Sequence, residues 1–252
     1  ILKRAKVAVK LGVLQDEALR LNEGFITRVT RGRPMGLLKL AMSMDGRIAA
    51  SDGDSKWISS SESRELVHRW RCECDAVMVG AGTVLADNPR LTCRIPGGRD
   101  PVRVVIDARL RTSPTARVYR QRSKAPTILV TTQENLASAQ QRYERRGVEV
   151  IAVASHGDQI ELSRLMLEFG HRGWCRVLIE GGANLAGSAV SAGIVDRVAF
   201  FVAPKILGQG LPAIEGLKPR QMRDAVALTD LTARMIGEDC LLEASISRRR
   251  TG

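Results

Sequence analysis

The sequence predicts an α/β fold of three layers: a mostly parallel sheet with helices on both faces, ending in antiparallel strands. Three observations carry this. From residue 37 onward, short β-branched apolar runs alternate with segments of helical length and period. Two of those runs, Ala76-Val77-Met78-Val79 and Val177-Leu178-Ile179-Glu180, pass straight into glycines, as strands do when they turn into helices. The last two runs, 197–202 and 239–246, follow a different rhythm, with a long loop-rich stretch at 204–219 after the first.

Residues 1 to about 34 read as an arm. Val7-Ala8-Val9-Lys10-Leu11-Gly12-Val13 alternates like an edge strand, and 16–25 reads as a short amphipathic helix with Ala18, Leu21 and Phe25 on one side. Residues 28–34 read as a basic linker containing Gly32 and Pro34. The segment is too small for a core of its own.

Beyond it, strands are expected at 37–43, 75–80, 102–107, 127–131, 148–153 and 175–180, and helices at 61–74, 135–146, 159–169 and 185–193. Ser59-Ser60-Ser61-Glu62 fits a capping box at the first of these helices. No repeat of solenoid period is present.

Both glycine turns carry chemistry. Glu180-Gly181-Gly182-Ala183-Asn184 places an acid at a strand end, then a tight turn and a helix start. Free N–H groups and the helix dipole attract phosphate there. Gly80-Ala81-Gly82-Thr83, followed by Asp87, repeats the device as a second glycine-lined loop. Two such loops at strand carboxyl ends describe a crevice suited to dinucleotides and phosphorylated small molecules. The competing reading is a pair of tight turns that bind nothing.

Composition excludes several classes. No apolar run approaches the roughly 20 residues of a membrane span, and no signal-peptide pattern opens the chain. The formal net charge of +12 raises the question of nucleic acid, but aromatics are only 4% and do not interleave with basic runs. The clusters at 117–124, 142–146 and 248–250 read as solvated faces whose field draws in anionic ligands. Cys72, Cys74, Cys93, Cys175 and Cys240 are odd in number and not spaced as a disulfide framework, which points to a reducing cytoplasm.

Several single residues admit both a functional and a blander role. Lys39 interrupts an apolar strand, which is costly unless the lysine is paired, functional or snorkelling from an edge. Trp57, in a polar loop before a helix, reads more readily as a core cover than as a ring partner. Arg94, after Asn88-Pro89-Arg90-Leu91-Thr92-Cys93, offers bidentate phosphate contact or plain surface. His68, Cys72 and Cys74 invite a metal reading, which their spacing does not support. Gly-x-Ser-x-Gly and Gly-x-x-x-x-Gly-Lys-Ser/Thr are absent, which disfavours serine hydrolases and P-loop nucleotide hydrolases.

In order along the chain, several segments resemble the reductase domain of bacterial riboflavin-biosynthesis proteins. They are Lys39-Leu40-Ala41-Met42-Ser43-Met44-Asp45-Gly46-Arg47-Ile48-Ala49, Ser55-Lys56-Trp57-Ile58, Gly82-Thr83-Val84-Leu85-Ala86-Asp87-Asn88-Pro89 and Leu91-Thr92-Cys93-Arg94. They continue with Val105-Ile106-Asp107, Ile179-Glu180-Gly181-Gly182 and Ala203-Pro204-Lys205. The resemblance spans about 36–247 and implies a dihydrofolate-reductase-like domain over 36–248, with a short tail at 249–252.

The implied activity is NADPH-dependent reduction of 5-amino-6-(5-phosphoribosylamino)uracil to the ribitylamino product, with hydride delivered to ribose C1′. By motif, Ala41, Trp57, Thr83, Asp87 and the loop Gly182, Ala183, Asn184, Leu185, Ala186, Gly187 and Ser188 would face NADPH. Ser55, Arg71, Leu91, Arg94 and Glu180 would face substrate. Lys39 and Glu180 are the candidates for polarising and orienting the opened ribose, with Asp87 positioning nicotinamide or ribose groups. Arg94 and Arg71 would hold the 5′-phosphate. Ala108 departs from a hydroxyl residue found in many relatives, which removes one cofactor contact.

The arm resembles the tail of the deaminase domain that precedes this reductase in two-domain family members, with Leu21-Asn22-Glu23-Gly24-Phe25 as its mark. The His-x-Glu and Pro-Cys-x-x-Cys that hold the deaminase zinc are absent, so no metal is expected. The chain reads as a reductase-only fragment or a naturally truncated form, cytoplasmic and homodimeric, with no membrane or nucleic-acid partner. The rival readings are a reductase of the archaeal and fungal type that acts before deamination, and a non-catalytic NADPH- or RNA-binding protein.

Overall fold

A computed structural model describes Leu2 and residues 4–247. Along the chain run α1 (Gln15–Leu21), α2 (Glu23–Arg31), β1 (Met35–Ser43), β2 (Arg47–Ala49), α3 (Ser61–Glu73), β3 (Ala76–Gly80), α4 (Ala81–Asp87) and β4 (Val102–Ile106). Then follow β5 (Thr127–Thr132), α5 (Leu136–Tyr143), β6 (Val148–Val153), β7 (Ser155–His156), β8 (Gln159–Ile160), α6 (Leu162–His171), β9 (Arg176–Glu180) and α7 (Ala183–Ser191). The chain closes with β10 (Arg197–Ala203), β11 (Leu211–Pro212), β12 (Leu228–Ile236) and β13 (Asp239–Ile246).

Nine strands form one sheet in the order β12-β13-β10-β1-β9-β3-β4-β5-β6. From β10 to β6 every pairing is parallel, whereas β13 lies antiparallel to both β10 and β12. The parallel strands are covered on both faces, so they read as continuous apolar runs. Met78, Val104, Ile128 and Ile179 pack with Leu165, Met166 and Phe169 of α6 and with Ala186 and Ala189 of α7. The alternate residues Val77, Val79, Val105, Leu129 and Leu178 pack with Ala139 and Tyr143 of α5. Val67 of α3 joins Ala199, Phe201 and Leu241 on the antiparallel side. Each fully buried aliphatic side chain contributes about 1.5–3 kcal/mol.

The N-terminal arm differs from its sequence reading. Residues 7–13 form no strand, and α1 and α2 replace the single helix expected at 16–25. Leu21 and Phe25 face outward, and α2 instead buries Gly24 and Thr27. The small Gly24 permits that contact: a Cβ there would stand 2.8 Å from the Cys175 carbonyl oxygen. Residues 28–34 are not a free linker. Arg31 and Arg33 both donate to the Asp196 carboxylate, at 2.6 and 2.7 Å, and the Gly36 N–H donates to it at 2.9 Å.

Three further corrections have local causes. The Gly80-Ala81-Gly82 segment is not a loop but the first turn of α4. The helix expected at 159–169 begins later, at Leu162, because Gln159-Ile160 pairs with Ser155-His156 in a small hairpin. Strand β12 was not foreseen, and its residues are exposed almost throughout, so no buried run marks it. At α3 the cap is Ser60, whose Oγ accepts from Ser63 N. The reciprocal carboxylate is not Glu62 but Asp239, which accepts from Ser60 N at 2.8 Å. The basic cluster at 248–250 and the tail at 249–252 lie outside the described residues.

Candidate functional site

The cleft occupies about 1460 Å³ at the carboxyl ends of the central parallel strands. Strand β1 has β9 on one side and β10 on the other, so chain direction through the sheet reverses here, where α/β folds bind ligands. Period-two alternation places Lys39 and Ala41 on one face of β1, and both line the cleft. Lys39 is in register with Glu180, the last residue of β9.

The Lys39 ammonium lies 5.6 Å from the centre of the Phe201 ring and makes no hydrogen bond or ion pair with the described residues. Burial pushes its pKa below the ordinary lysine value, and Arg71 adds to that effect. Glu180, Asp239 and Asp87 pull the other way without restoring it. The edge-snorkelling alternative therefore does not hold: β1 is a central strand, and the lysine faces a cavity.

Glu180 is not a free acid. Its carboxylate accepts two hydrogen bonds from Arg71, at 2.6 and 2.7 Å. Burial disfavours its charge, but Arg71, Lys39 and His68 outweigh burial and hold the carboxyl below its usual range. Arg71 spends its remaining nitrogen on the Thr92 carbonyl, at 3.3 Å. With those groups committed, Arg71 positions Glu180 and the Thr92 loop rather than offering a free fork to phosphate.

His68, one helical turn before Arg71 on α3, reaches the same Thr92 carbonyl at 3.2 Å. Burial, then Arg71 and Arg94, push its pKa down. Its place beside Arg71 follows from the i, i+3 spacing, a signal that the metal reading obscured. Among the described residues, no group of three or more His, Cys, Asp or Glu is placed to hold a metal ion.

Arg94 faces the cleft with Arg90 and Arg117. Burial lowers its pKa, and repulsion from Arg71, Arg90 and Arg117 lowers it further. Arg90, Arg94 and Arg117 have no carboxylate partner among the described residues, which leaves unbalanced positive charge suited to a dianion. Nothing in the local sequence points to Arg117. It arrives because its backbone N–H donates to Asn88 Oδ1 at 2.8 Å.

Across the cleft, α4 and α7 start side by side. Thr83 Oγ1 accepts from Gly182 N at 3.0 Å and joins the two turns. Gly182 caps α7 without a side-chain hydrogen bond, so the first amides of α7 point outward unpaired. A Cβ on Gly182 would meet only Thr83 Oγ1, at 3.7 Å, and one on Gly82 would meet nothing within 4 Å. This open, amide-lined surface fits a phosphate-bearing group. Ala108 lines the cleft nearby.

Ser55 Oγ stands 3.5 Å from Asp87 Oδ1, which brings those two candidates together. Trp57 is 65% exposed, so the core role read from sequence is overturned. Its ring lies 4.5 Å from the Arg64 guanidinium at the cleft wall. Ala183, Asn184, Leu185 and Ser188 line the cleft. Ala186 does not: it is fully buried in the core. Gly187 lines the cleft and also packs tightly, since a Cβ there would lie 1.6 Å from the Glu215 carbonyl oxygen. Leu91 is buried, with a left-handed backbone that sets the turn of the Arg94 loop.

Over 244 residues the chain is 36% identical to the riboflavin biosynthesis protein RibD of Actinobacillus pleuropneumoniae, covering 96% of this chain and 65% of the relative. The RibD protein of Aquifex aeolicus is 36% identical over 243 residues, covering 96% and 66%. A Thermotoga maritima structure, described as a diaminohydroxyphosphoribosylaminopyrimidine deaminase/5-amino-6-(5-phosphoribosylamino)uracil reductase, superposes with a TM-score of 0.84. It is 33% identical, over 97% of this chain and 66% of that one. The chain thus spans about two thirds of the length of these relatives. Dihydrofolate reductase of Enterococcus faecalis, complexed with NADP(H), shares the fold alone, at 11% identity and a TM-score of 0.50. Residues 34–242, which contain the whole cleft, match the model of the RibD C-terminal domain, and the chain belongs to that family.

Proposed function

We propose that this chain reduces 5-amino-6-(5-phosphoribosylamino)uracil to its ribitylamino product with NADPH. The observation that carries the reading is the unpaired, desolvated Lys39 beside the Arg71–Glu180 pair, facing the open amide turn of α7. NADPH, bound against Thr83, Asp87 and the turn that starts at Gly182, supplies the hydride for C1′ of the ring-opened ribose. The α7 amides would take its phosphate charge, and Ala41 and Trp57 would face it across the cleft.

The protein's own part is alignment and proton delivery. Arg94, with Arg90 and Arg117 beside it, holds the substrate phosphate as charge-assisted donors. Glu180, fixed by Arg71, orients the ribose hydroxyls, and Ser55 and Leu91 bound the pyrimidine. Reduction at C1′ leaves a nitrogen that needs a proton. Lys39 Nζ supplies it, because desolvation makes the ammonium a stronger acid than a lysine in water.

The arm at 1–35 corresponds to the tail of a deaminase domain, docked through Arg31 and Arg33 on Asp196, and 36–248 is the catalytic domain. Homodimerisation is the expected assembly. Exposed Leu228, Leu231 and Met235 on the edge strand β12 support it. No helix among the described residues is long and apolar enough to cross a membrane. The test is NADPH oxidation by the purified chain, with the deaminated and the undeaminated phosphoribosylamino-pyrimidine supplied in parallel. Turnover of the deaminated substrate supports the reading, and turnover confined to the other substrate replaces it.

A further inference from the structure

Cys72 and Cys93 play no part in the proposed reaction, yet they lie against its substrate side. Cys72 follows Arg71 on α3, and Cys93 stands between Thr92 and Arg94. Both sulfurs flank Gly98: a Cβ there would lie 2.6 Å from Cys93 Sγ and 3.3 Å from Cys72 Sγ. The loop thus packs closely on both sulfurs, and the same Cβ would stand 3.0 Å from the Ile95 carbonyl oxygen. Both cysteines are half-buried and reachable by a small reagent.

Their surroundings give the two sulfurs different roles. Cys72 Sγ accepts the Arg99 backbone N–H at 3.2 Å. Burial holds the Cys93 thiol above its ordinary pKa, as suits the thiol that acts second. Cys74, two residues along, is a contrast: burial pushes its thiol up to about 12, which leaves it inert.

We infer that Cys72 and Cys93 are a covalent modification site, closing reversibly to a disulfide by exchange with a low-molecular-weight disulfide and so controlling the grip of the Arg94 loop on substrate. The Cys72 thiolate attacks one sulfur of the small disulfide, R–S–S–R, forming a Cys72 mixed disulfide and releasing R–S⁻. Cys93 then loses its proton and attacks the Cys72 sulfur, expelling the second R–S⁻. The two protein thiols are oxidised by two electrons, one small disulfide is reduced, and the two protons pass to the departing thiolates. Closing the bond draws Cys93 toward α3. Arg94, its neighbour, moves with it, while the dinucleotide side of the cleft is untouched.

The covalent step stands independently of the proposed activity; only its kinetic consequence rests on Arg94 meeting the substrate phosphate. The test treats the full chain with oxidised glutathione and reads intact mass, disulfide-linked peptides, substrate KM and NADPH Kd, before and after dithiothreitol. The expected result is a Cys72–Cys93 linked peptide and the loss of two hydrogens' mass, both reversed by dithiothreitol. Substrate KM rises several-fold with NADPH Kd unchanged. Cys93→Ser should stop at the glutathione adduct on Cys72, and Cys72→Ser should give no link. Adducts without a Cys72–Cys93 link in the wild-type chain would overturn the site, whatever the enzyme's activity. A link that leaves substrate KM unchanged would overturn its control of the Arg94 loop.

Discussion

Glu180 and Arg71 meet as a two-pronged ion pair inside the cleft, Oε1 to Nε at 2.6 Å and Oε2 to Nη2 at 2.7 Å, with each side chain 12% exposed. The pair joins the end of β9 to the last turn of α3, and through Thr92 it also steadies the loop that carries Arg94. A carboxylate held in this way is an oriented acceptor and cannot serve as a proton donor near neutral pH.

Glu180→Gln should therefore destabilise the fold as well as impair turnover. Removing one partner of such a pair leaves a largely desolvated cation, at a cost of about 3 kcal/mol. The effect depends on pH. The folded carboxyl titrates below its unfolded value of about 4.3, so its stabilisation is complete above that value. It is lost as pH falls through the folded pKa. Denaturant titrations of both proteins across the acid range should show the difference between them shrinking as pH drops. A difference that does not vary with pH would contradict the pair's role.

Lys39 should set the alkaline limb of the rate profile. As the protonated donor it loses activity when pH rises through its pKa, which lies below the ordinary value of about 10.4. Lys39→Arg keeps the charge, so its residual kcat/KM should persist to higher pH. Lys39→Met should lose turnover while retaining NADPH affinity. An unchanged alkaline limb in Lys39→Arg would assign the proton to another group.

Arg94→Ala and Arg117→Ala should each weaken substrate binding with little effect on NADPH. Loss of a charge-assisted phosphate contact costs about 1.5–3 kcal/mol. Isothermal titration with substrate and with NADPH separates the two ligands. Equal losses for both, or none, would return these arginines to ordinary surface.

Much of this architecture was legible in the chain, and the misses have physical causes. Apolar runs such as Ala76–Gly80 are buried on both faces, so burial and sequence pattern coincide. The β12 edge and the arm at 7–13 are exposed, so nothing in their residues is forced. Lys39 was legible because a lone charge in a central strand demands a reason. The Arg71–Glu180 pairing was not, because it joins α3 to β9 across the fold. Arg117 likewise owes its place to the Asn88 side chain, a tertiary contact with no local signature.

Two glycines of the α7 region separate binding from packing. Gly182→Val should keep the fold, since a Cβ there has open space beyond Thr83 at 3.7 Å, yet it should abolish NADPH binding by filling the anion's approach. Gly187→Ala should do the reverse. Its Cβ would collide with the Glu215 carbonyl at 1.6 Å, and forcing that contact apart costs about 1–3 kcal/mol of stability. Melting temperature and NADPH fluorescence titration on both variants decide the matter. Near-native NADPH affinity in a folded Gly182→Val protein would refute the assignment of this turn.

The most direct measurement is a single-turnover experiment with NADPH carrying deuterium at its transferable position and 5-amino-6-(5-phosphoribosylamino)uracil, read by mass spectrometry of the product. The account predicts that the wild-type chain places one deuterium at C1′ of a ribitylamino product, and that Lys39→Met binds NADPH but yields almost none. A folded wild-type chain that binds NADPH yet forms no deuterated product, or a Lys39→Met protein that turns over at the wild-type rate, would contradict it.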